Sequence, residues 1–120
     1  MFISDNVFDS GLSYADTNGT RIDIVNTDPA GVYATVTANT LGNDTVNTGA
    51  PQAGATDGRR VVVPAITAGS VTGTGTATHW ALTNGTDTVI ASGDLSAPQA
   101  VTSGNTFTLD AISITIRDAA

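Results

Sequence analysis

His79 is the residue of this chain best suited to acid–base chemistry, because histidine is the side chain that most often serves as general acid or base in proteins. The 120-residue sequence contains no second histidine and no cysteine, so a zinc site would lack ligands. A hydrolytic nucleophile needs a base within hydrogen-bond reach, and a third group must orient that base. His79 lies between Thr78 and Trp80 in a stretch that alternates like a strand. We therefore interpret it as a structural histidine, paired with a neighbour or half exposed.

Aspartate supplies every acidic side chain, and two aspartates close together could act as general acid and base. Asp16 with Asp23 and Asp5 with Asp9 are such candidate pairs. The run from Asp16 to Thr20 partly matches a calcium-binding loop, but it lacks the late bidentate glutamate and fits an Asn-Gly turn better. The residues therefore predict no catalytic centre, no cofactor and no metal.

The charge of the chain is one-sided. Its 11 acidic residues are all aspartates and its four basic residues are all arginines, which gives a formal net charge of −7. Phosphate binding needs a basic patch, so this balance argues against a nucleic-acid partner. Apolar runs stay far short of the ~20 residues of a membrane span. The first residues also lack the basic region and apolar stretch of a secretory signal.

The elements that would position these residues are predicted to be strands. The chain has 21 threonines and neither lysine nor glutamate, a composition that favours strands over helices. Residues 70–117 alternate apolar residues with Thr and Ser, and Asn84-Gly85 between two such runs predicts a hairpin. We predict one all-β domain over residues 1–120, an antiparallel sandwich or barrel of about eight strands.

Residues 12–66 are interpreted from the same signals, turn residues and runs of apolar residues. A hairpin over residues 12–26 turns at Asn18-Gly19, and residues 32–39 form the next strand. Residues 41–57 hold several Gly, Asn and Pro residues and are predicted to form a long surface loop, with room for one short strand. The apolar strand at residues 61–66 contains Pro64, which predicts an edge position or a bulge.

The second half of the domain leaves two structural questions open. In the Asn84-Gly85 hairpin, a two-residue turn places Trp80 opposite Val89, whereas a slip of one residue places it opposite Ile90. We expect Trp80 to lie in the core and residues 93–100 to form a turn-rich crossing. In the last strand the apolar residues fall on odd positions as far as Leu109 and on even positions from Ile112 onward. This change predicts a bulge or a bend that lets the strand switch sheets.

The N-terminal residues 1–11 carry apolar side chains without a clear strand or helix period. We interpret them as an irregular arm that either covers the core of its own domain or docks on a neighbouring subunit. An exposed apolar arm would be an aggregation hazard, so it must be covered in one of these ways. The candidate assembly residues are Phe2, Ile3, Val7 and Phe8.

Five motifs resemble a family of small uncharacterised proteins encoded by tailed bacteriophages and prophages. They are Met1-Phe2-Ile3-Ser4-Asp5-Asn6-Val7-Phe8-Asp9, Asp16-Thr17-Asn18-Gly19-Thr20-Arg21, Gly58-Arg59-Arg60-Val61, Gly75-Thr76-Ala77-Thr78-His79-Trp80-Ala81-Leu82 and Val101-Thr102-Ser103-Gly104-Asn105-Thr106-Phe107-Thr108-Leu109. The resemblance runs through nearly the whole chain and is weakest at residues 41–57. The family has no catalytic residues to transfer.

The resemblance implies a virion structural protein, located in the virion and assembled in the cytoplasm of the bacterial host. A capsid decoration (cement) protein that stabilises the head shell is the interpretation we adopt. Its partners would be the major capsid protein or other virion proteins, and it would form a homo-oligomer, with a trimer favoured. A tail- or fibre-associated structural protein, or a module that binds a receptor or carbohydrate, is the alternative. No enzymatic activity is expected.

Overall fold

The computed structural model describes residues 4–117, which form two helices and nine strands. Strands account for 48% of the structure and helices for 18%, so the predicted β class is confirmed. The elements in chain order are α1 Asp5–Asn18, β1 Arg21–Val25, α2 Tyr33–Asn39, β2 Thr40–Thr45, β3 Gln52–Ala53, β4 Arg59–Val63, β5 Ile66–Val71, β6 Gly75–Thr83, β7 Val89–Val101, β8 Thr106–Leu109 and β9 Ile112–Ile116.

Two antiparallel sheets pack face to face. The larger has the order β7-β6-β1-β2-β5-β8 and curls into a half-barrel, and the smaller has the order β3-β4-β9. The main core fills the space between them, with Val63 of β4 among side chains of the larger sheet. Phe107 is its largest fully buried side chain, and it lies so close to Gly69 that a β-carbon there would overlap its ring. Glycine at position 69 is therefore a packing requirement.

Helix α1 corrects two predictions, the irregular arm at residues 1–11 in its part from Asp5 onward and the first strand of the hairpin at residues 12–26. The Ser4 hydroxyl caps the helix by accepting the Asn6 N–H at 3.2 Å. Phe8, Leu12 and Ala15 recur at the i, i+4, i+7 spacing of a helix and are all buried. Asn18-Gly19 therefore ends a helix, with the Gly19 N–H bonded to the Ala15 carbonyl, and does not turn a hairpin.

Helix α2 replaces the strand predicted at residues 32–39. Its β-branched residues favour a strand by local propensity, but tertiary packing decides otherwise. Val36 packs on Val25 and Ala81, on the face of the larger sheet that points away from the main core. A helix brings this one apolar side chain to the sheet and leaves its polar neighbours near solvent.

The segment at residues 41–57, predicted as a long loop with room for one short strand, holds parts of two strands, β2 as far as Thr45 between β1 and β5, and β3 at Gln52–Ala53. Val46 and Thr48 are buried, so the segment is tied to the domain. The prediction for Pro64 fails. Strand β4 is the central strand of the smaller sheet, and Pro64 follows its last residue, where no ladder hydrogen bond is required of it.

The β6–β7 hairpin is confirmed, but both predicted registers are wrong, because Trp80 lies opposite Gly93. The connection runs from residue 84 to residue 88, and the Asn84 side chain organises it. Its Oδ1 accepts the backbone N–H groups of Thr86, Asp87 and Thr88 at 2.9, 3.0 and 3.1 Å. Residues 93–100 belong to β7 and are not a turn-rich crossing.

The predicted change of sheet near the C-terminus is confirmed. Strand β8 pairs with β5 in the larger sheet, whereas β9 pairs with β4 in the smaller one. The two residues between them, Asp110 and Ala111, form the bend. This crossing places the end of β8 and the start of β9 next to β7, where the cleft described below is found.

Candidate functional site

The described part of the chain has a cleft at the open side of the half-barrel. Its volume is about 330 Å³. One wall comes from β7, the other from the end of β8, the bend and the start of β9, and Trp80 contributes from β6. The lining residues are Trp80, Asp94, Leu95, Ser96, Ala97, Gln99, Thr108, Leu109, Asp110, Ala111 and Ile112.

Trp80 joins the core to this cleft. Its side chain is partly buried and packs against the main core cluster, as expected for a core residue, but it also lines the cleft. Gly93 lies directly across the ladder, and a β-carbon there would be 3.0 Å from the indole. The ring therefore lies against the glycine backbone.

An irregularity in β7 shapes the wall of the cleft that this strand forms. Ala77 pairs with Gln99, but the next pair along the ladder is His79 with Asp94. Residues 95–98 therefore oppose a single residue of β6. A bulge of this kind redirects side chains and frees backbone groups from the ladder, and bulges are common beside binding sites.

His79 lies at this bulge and forms two polar contacts. Thr78 Oγ1 is 2.8 Å from its Nδ1, and Asp94 Oδ1 is 2.8 Å from its Nε2. With the hydroxyl donating to Nδ1, the Nε2–H donates to the carboxylate. The prediction of a structural histidine paired with a neighbour agrees with this arrangement.

The Thr78–His79–Asp94 arrangement has the composition of a hydrolytic triad, so its surroundings matter. Of the three, only Asp94 lines the cleft, and its side chain is 85% exposed. A substrate in the cleft would therefore not meet the Thr78 hydroxyl. We assign the three residues the role of joining β6 to β7 across the bulge.

One aspartate of each predicted carboxylate pair is held by an arginine. Asp9 accepts two hydrogen bonds from Arg59. Asp23 is 1% exposed and accepts two hydrogen bonds from Arg21 and one from the Thr40 hydroxyl. The hydrogen bonds to Asp23 are the main cause of the raised pKa of Arg21. Asp9 and Asp23 therefore serve the fold. Within residues 4–117 no group of three or more His, Asp or Glu side chains is arranged to hold a metal ion.

The structure places two of the four predicted assembly residues, Val7 and Phe8. Phe2 and Ile3 lie outside the described residues. Val7 is 62% exposed on α1, whereas Phe8 is 5% exposed and packs inward, so Phe8 is a core residue in this chain. The helix brings two further residues beside Val7 that the sequence analysis missed, Gly11 and Tyr14. The i, i+4, i+7 spacing of Val7, Gly11 and Tyr14 indicates one face of a helix. The interpretation of this segment as an arm and a hairpin did not use that signal.

Comparisons with known proteins add no family to this description. A scan against protein-family models, a search of curated proteins and a search of solved structures each returned no match. Among the described residues, neither helix is long and apolar enough to cross a bilayer.

Proposed function

We propose that this protein is a structural component of a tailed-phage virion, a decoration protein that binds the head shell. Two lines of support come from the sequence, the resemblance to the phage family and the strongly acidic charge without a basic patch. The structural observation that carries the proposal is an exposed apolar stripe beside β9, a strand that pairs on one side only within residues 4–117. A contact protein of this kind acts through its surface and needs no catalytic centre.

We call this region the α1–β9 surface and define it by Val7, Gly11, Tyr14 and Ile116. Val7 and Tyr14 are 62% and 52% exposed, and both lie on the flank of α1 next to its buried stripe. Ile116 reaches under this flank, with its Cδ1 only 3.7 Å from where a β-carbon on Gly11 would be. The helix flank and the end of β9 therefore form one continuous surface.

The α1–β9 surface has the features of a contact region. Strand β9 is an edge of the smaller sheet, so one row of its backbone groups faces away from β4. Large exposed apolar side chains beside such an edge mark sites where another chain packs. Covering Val7 and Tyr14 fully would contribute about 1.5–3 kcal/mol each, before the cost of ordering is subtracted.

The partner proposed for this surface is the major capsid protein or another virion protein, together with further copies of this chain. A shell is symmetric, so a decoration protein would follow its axes, and a homotrimer on a three-fold axis is the assembly we favour. The protein would then be located in the virion.

Charge substitution on the two sides of α1 tests the proposal. Val7→Asp adds a carboxylate to the α1–β9 surface, and Ser13→Asp adds the same charge at an exposed position on another side of the helix. Purified variants are mixed with phage particles that lack the protein, and bound protein is measured after sedimentation. We expect Val7→Asp to reduce occupancy at least tenfold and Ser13→Asp to leave it unchanged.

Three outcomes would contradict the proposal. Equal binding of both variants would place the contact elsewhere on the domain. Wild-type protein that binds separated tails or fibres but not heads would favour the tail-associated alternative. Wild-type protein that binds no part of the particle would overturn the virion role itself.

A further inference from the structure

We propose that the cleft between β7 and β8 binds an extended polypeptide segment, which carries Lys or Arg beside apolar residues and adds to the half-barrel as a strand. The inference is independent of the virion role, because it rests on the open side of the larger sheet and not on the α1–β9 surface.

The first observation is how the two edge strands of the larger sheet are joined. Gln99 of β7 donates its Nε2 to the Thr108 carbonyl at 3.1 Å, and its Oε1 accepts the Thr108 N–H at 3.5 Å. A neighbouring strand would offer this same pair of groups, one donor and one acceptor, to the edge of β8. The Gln99 amide therefore takes the place of a strand at this point.

The Gln99 bridge also sets the expected width of the gap between β7 and β8. A glutamine side chain and one hydrogen bond together separate two backbones by about 8–10 Å, which is close to twice the ~4.8 Å spacing of paired strands. One extended chain would therefore fit beside Gln99 in this gap. Beside Gln99 the gap is open and forms the 330 Å³ cleft.

The second observation concerns the backbone of β7, which forms one wall of the cleft. Residues 95–98 have no paired residue in the β6–β7 ladder, and because Pro98 carries no N–H, their candidate hydrogen-bonding groups are the four carbonyls and the N–H groups of residues 95–97. On the other wall, Asp110 and Ala111 follow the edge strand β8. An extended peptide would find hydrogen-bonding partners on one or both walls, as in other cases of strand addition.

The charge of the lining selects the peptide. Asp94 and Asp110 both line the cleft and are exposed, and none of the described residues that line it is basic. Lys or Arg side chains of a bound segment would meet these carboxylates, and an apolar side chain or a cation would meet the indole of Trp80. A saccharide is less favoured, because the indole is partly buried and lies against Gly93.

The single tryptophan of the chain makes the test direct, because its fluorescence reports on the cleft. The probe is an acetylated and amidated eight-residue peptide of alternating Lys and Val. Two matched peptides replace Lys by Asp or carry N-methyl groups on alternate backbone nitrogens. Titrations follow Trp80 emission, and calorimetry gives the stoichiometry. We expect one Lys-Val peptide per chain, bound at least tenfold more tightly than either matched peptide.

Two variants separate this site from general attraction between opposite charges. Asp94→Asn with Asp110→Asn should weaken binding of the Lys-Val peptide at least tenfold. Asp28→Asn with Asp44→Asn changes the net charge equally at aspartates outside the cleft and should leave binding unchanged. All four side chains lie at or near the surface, and Asn at position 94 keeps an oxygen acceptor for His79 Nε2, so circular dichroism should report native folds.

Other results would overturn the inference. Equal weakening by both double variants would reduce it to attraction by the net charge, and equal binding of the N-methylated peptide would exclude strand pairing. A failure of every peptide to bind would overturn it outright. If chitotriose changes Trp80 emission and the peptides do not, the cleft is a saccharide site instead.

Discussion

Arg59 of β4 holds Asp9 of α1 through two parallel hydrogen bonds, with Nε 2.8 Å from Oδ1 and Nη2 3.3 Å from Oδ2. The two residues are 50 positions apart in the chain. Leu12, one turn further along α1, packs on Val61 of the same strand. The ion pair and the apolar contact together fix the helix on the smaller sheet, which also positions the α1–β9 surface.

Arg59→Lys keeps the charge but loses the planar fork that binds both carboxylate oxygens. We expect a lower melting temperature and faster amide hydrogen exchange in α1, especially near Phe8 and Leu12. Arg117→Lys is the control, because Arg117 forms the same kind of ion pair with Asp57, which is not part of the helix. Unchanged exchange in α1 would show that apolar packing alone holds the helix.

Trp80→Ala should reduce the free energy of unfolding by about 2–3 kcal/mol. A fully buried aromatic side chain costs about 3–5 kcal/mol when it is truncated, and Trp80 is only partly buried. Urea unfolding followed by circular dichroism measures the change without the lost fluorophore. Trp80→Phe should cost less, since it keeps a ring on Gly93. A near-native unfolding midpoint for Trp80→Ala would contradict the core role.

Asn84→Ala should reduce the free energy of unfolding by about 1–2 kcal/mol, because the loop loses the acceptor for three backbone N–H groups. Asn47→Ala is the control at an exposed position. Equal melting temperatures for the two variants would mean that water replaces the Asn84 amide without loss.

Asp87 gives this loop a pH dependence. The pKa of Asp87 is lowered, first by the hydrogen bond from the Asn84 amide and then by that from the Thr88 hydroxyl. A lowered pKa in the folded state means that the carboxylate stabilises the fold above its ordinary pKa of 3.8 and loses this effect as the pH falls through the folded value. Asp87→Asn should therefore be less stable than wild type near pH 7. Thermal melts from pH 7 to pH 2 should show the difference shrinking in acid, and a constant difference would contradict the assignment.

The Thr78–His79–Asp94 arrangement should not act as a hydrolytic triad. We expect wild-type protein and Thr78→Val to hydrolyse p-nitrophenyl acetate at the same rate, because the Thr78 hydroxyl does not line the cleft. His79→Gln tests the same point through the base. A burst of nitrophenol in wild type that disappears in Thr78→Val would assign an acyl-enzyme and contradict our structural interpretation.

Local signals in the sequence determined the β class, the β6–β7 hairpin and the change of sheet before β9. Each follows from short-range chemistry. Asn84-Gly85 favours a turn between two alternating runs, and the phase difference between Leu109 and Ile112 requires an extra residue wherever both face the core. Helix α1 was also readable, because Ser4 is a good cap and Phe8, Leu12 and Ala15 have helical spacing.

Tertiary structure alone decided the remaining features. Val36 lies in a helix because the sheet offers it Val25 and Ala81, a contact that no local propensity specifies. Trp80 lies opposite Gly93 because the indole needs a partner without a side chain, and the longer loop after Asn84 makes this register possible. Gln99 meets Thr108 because the larger sheet curls until its first and last strands face each other. The cleft depends on that curvature, which is a property of the whole sheet and of no single segment.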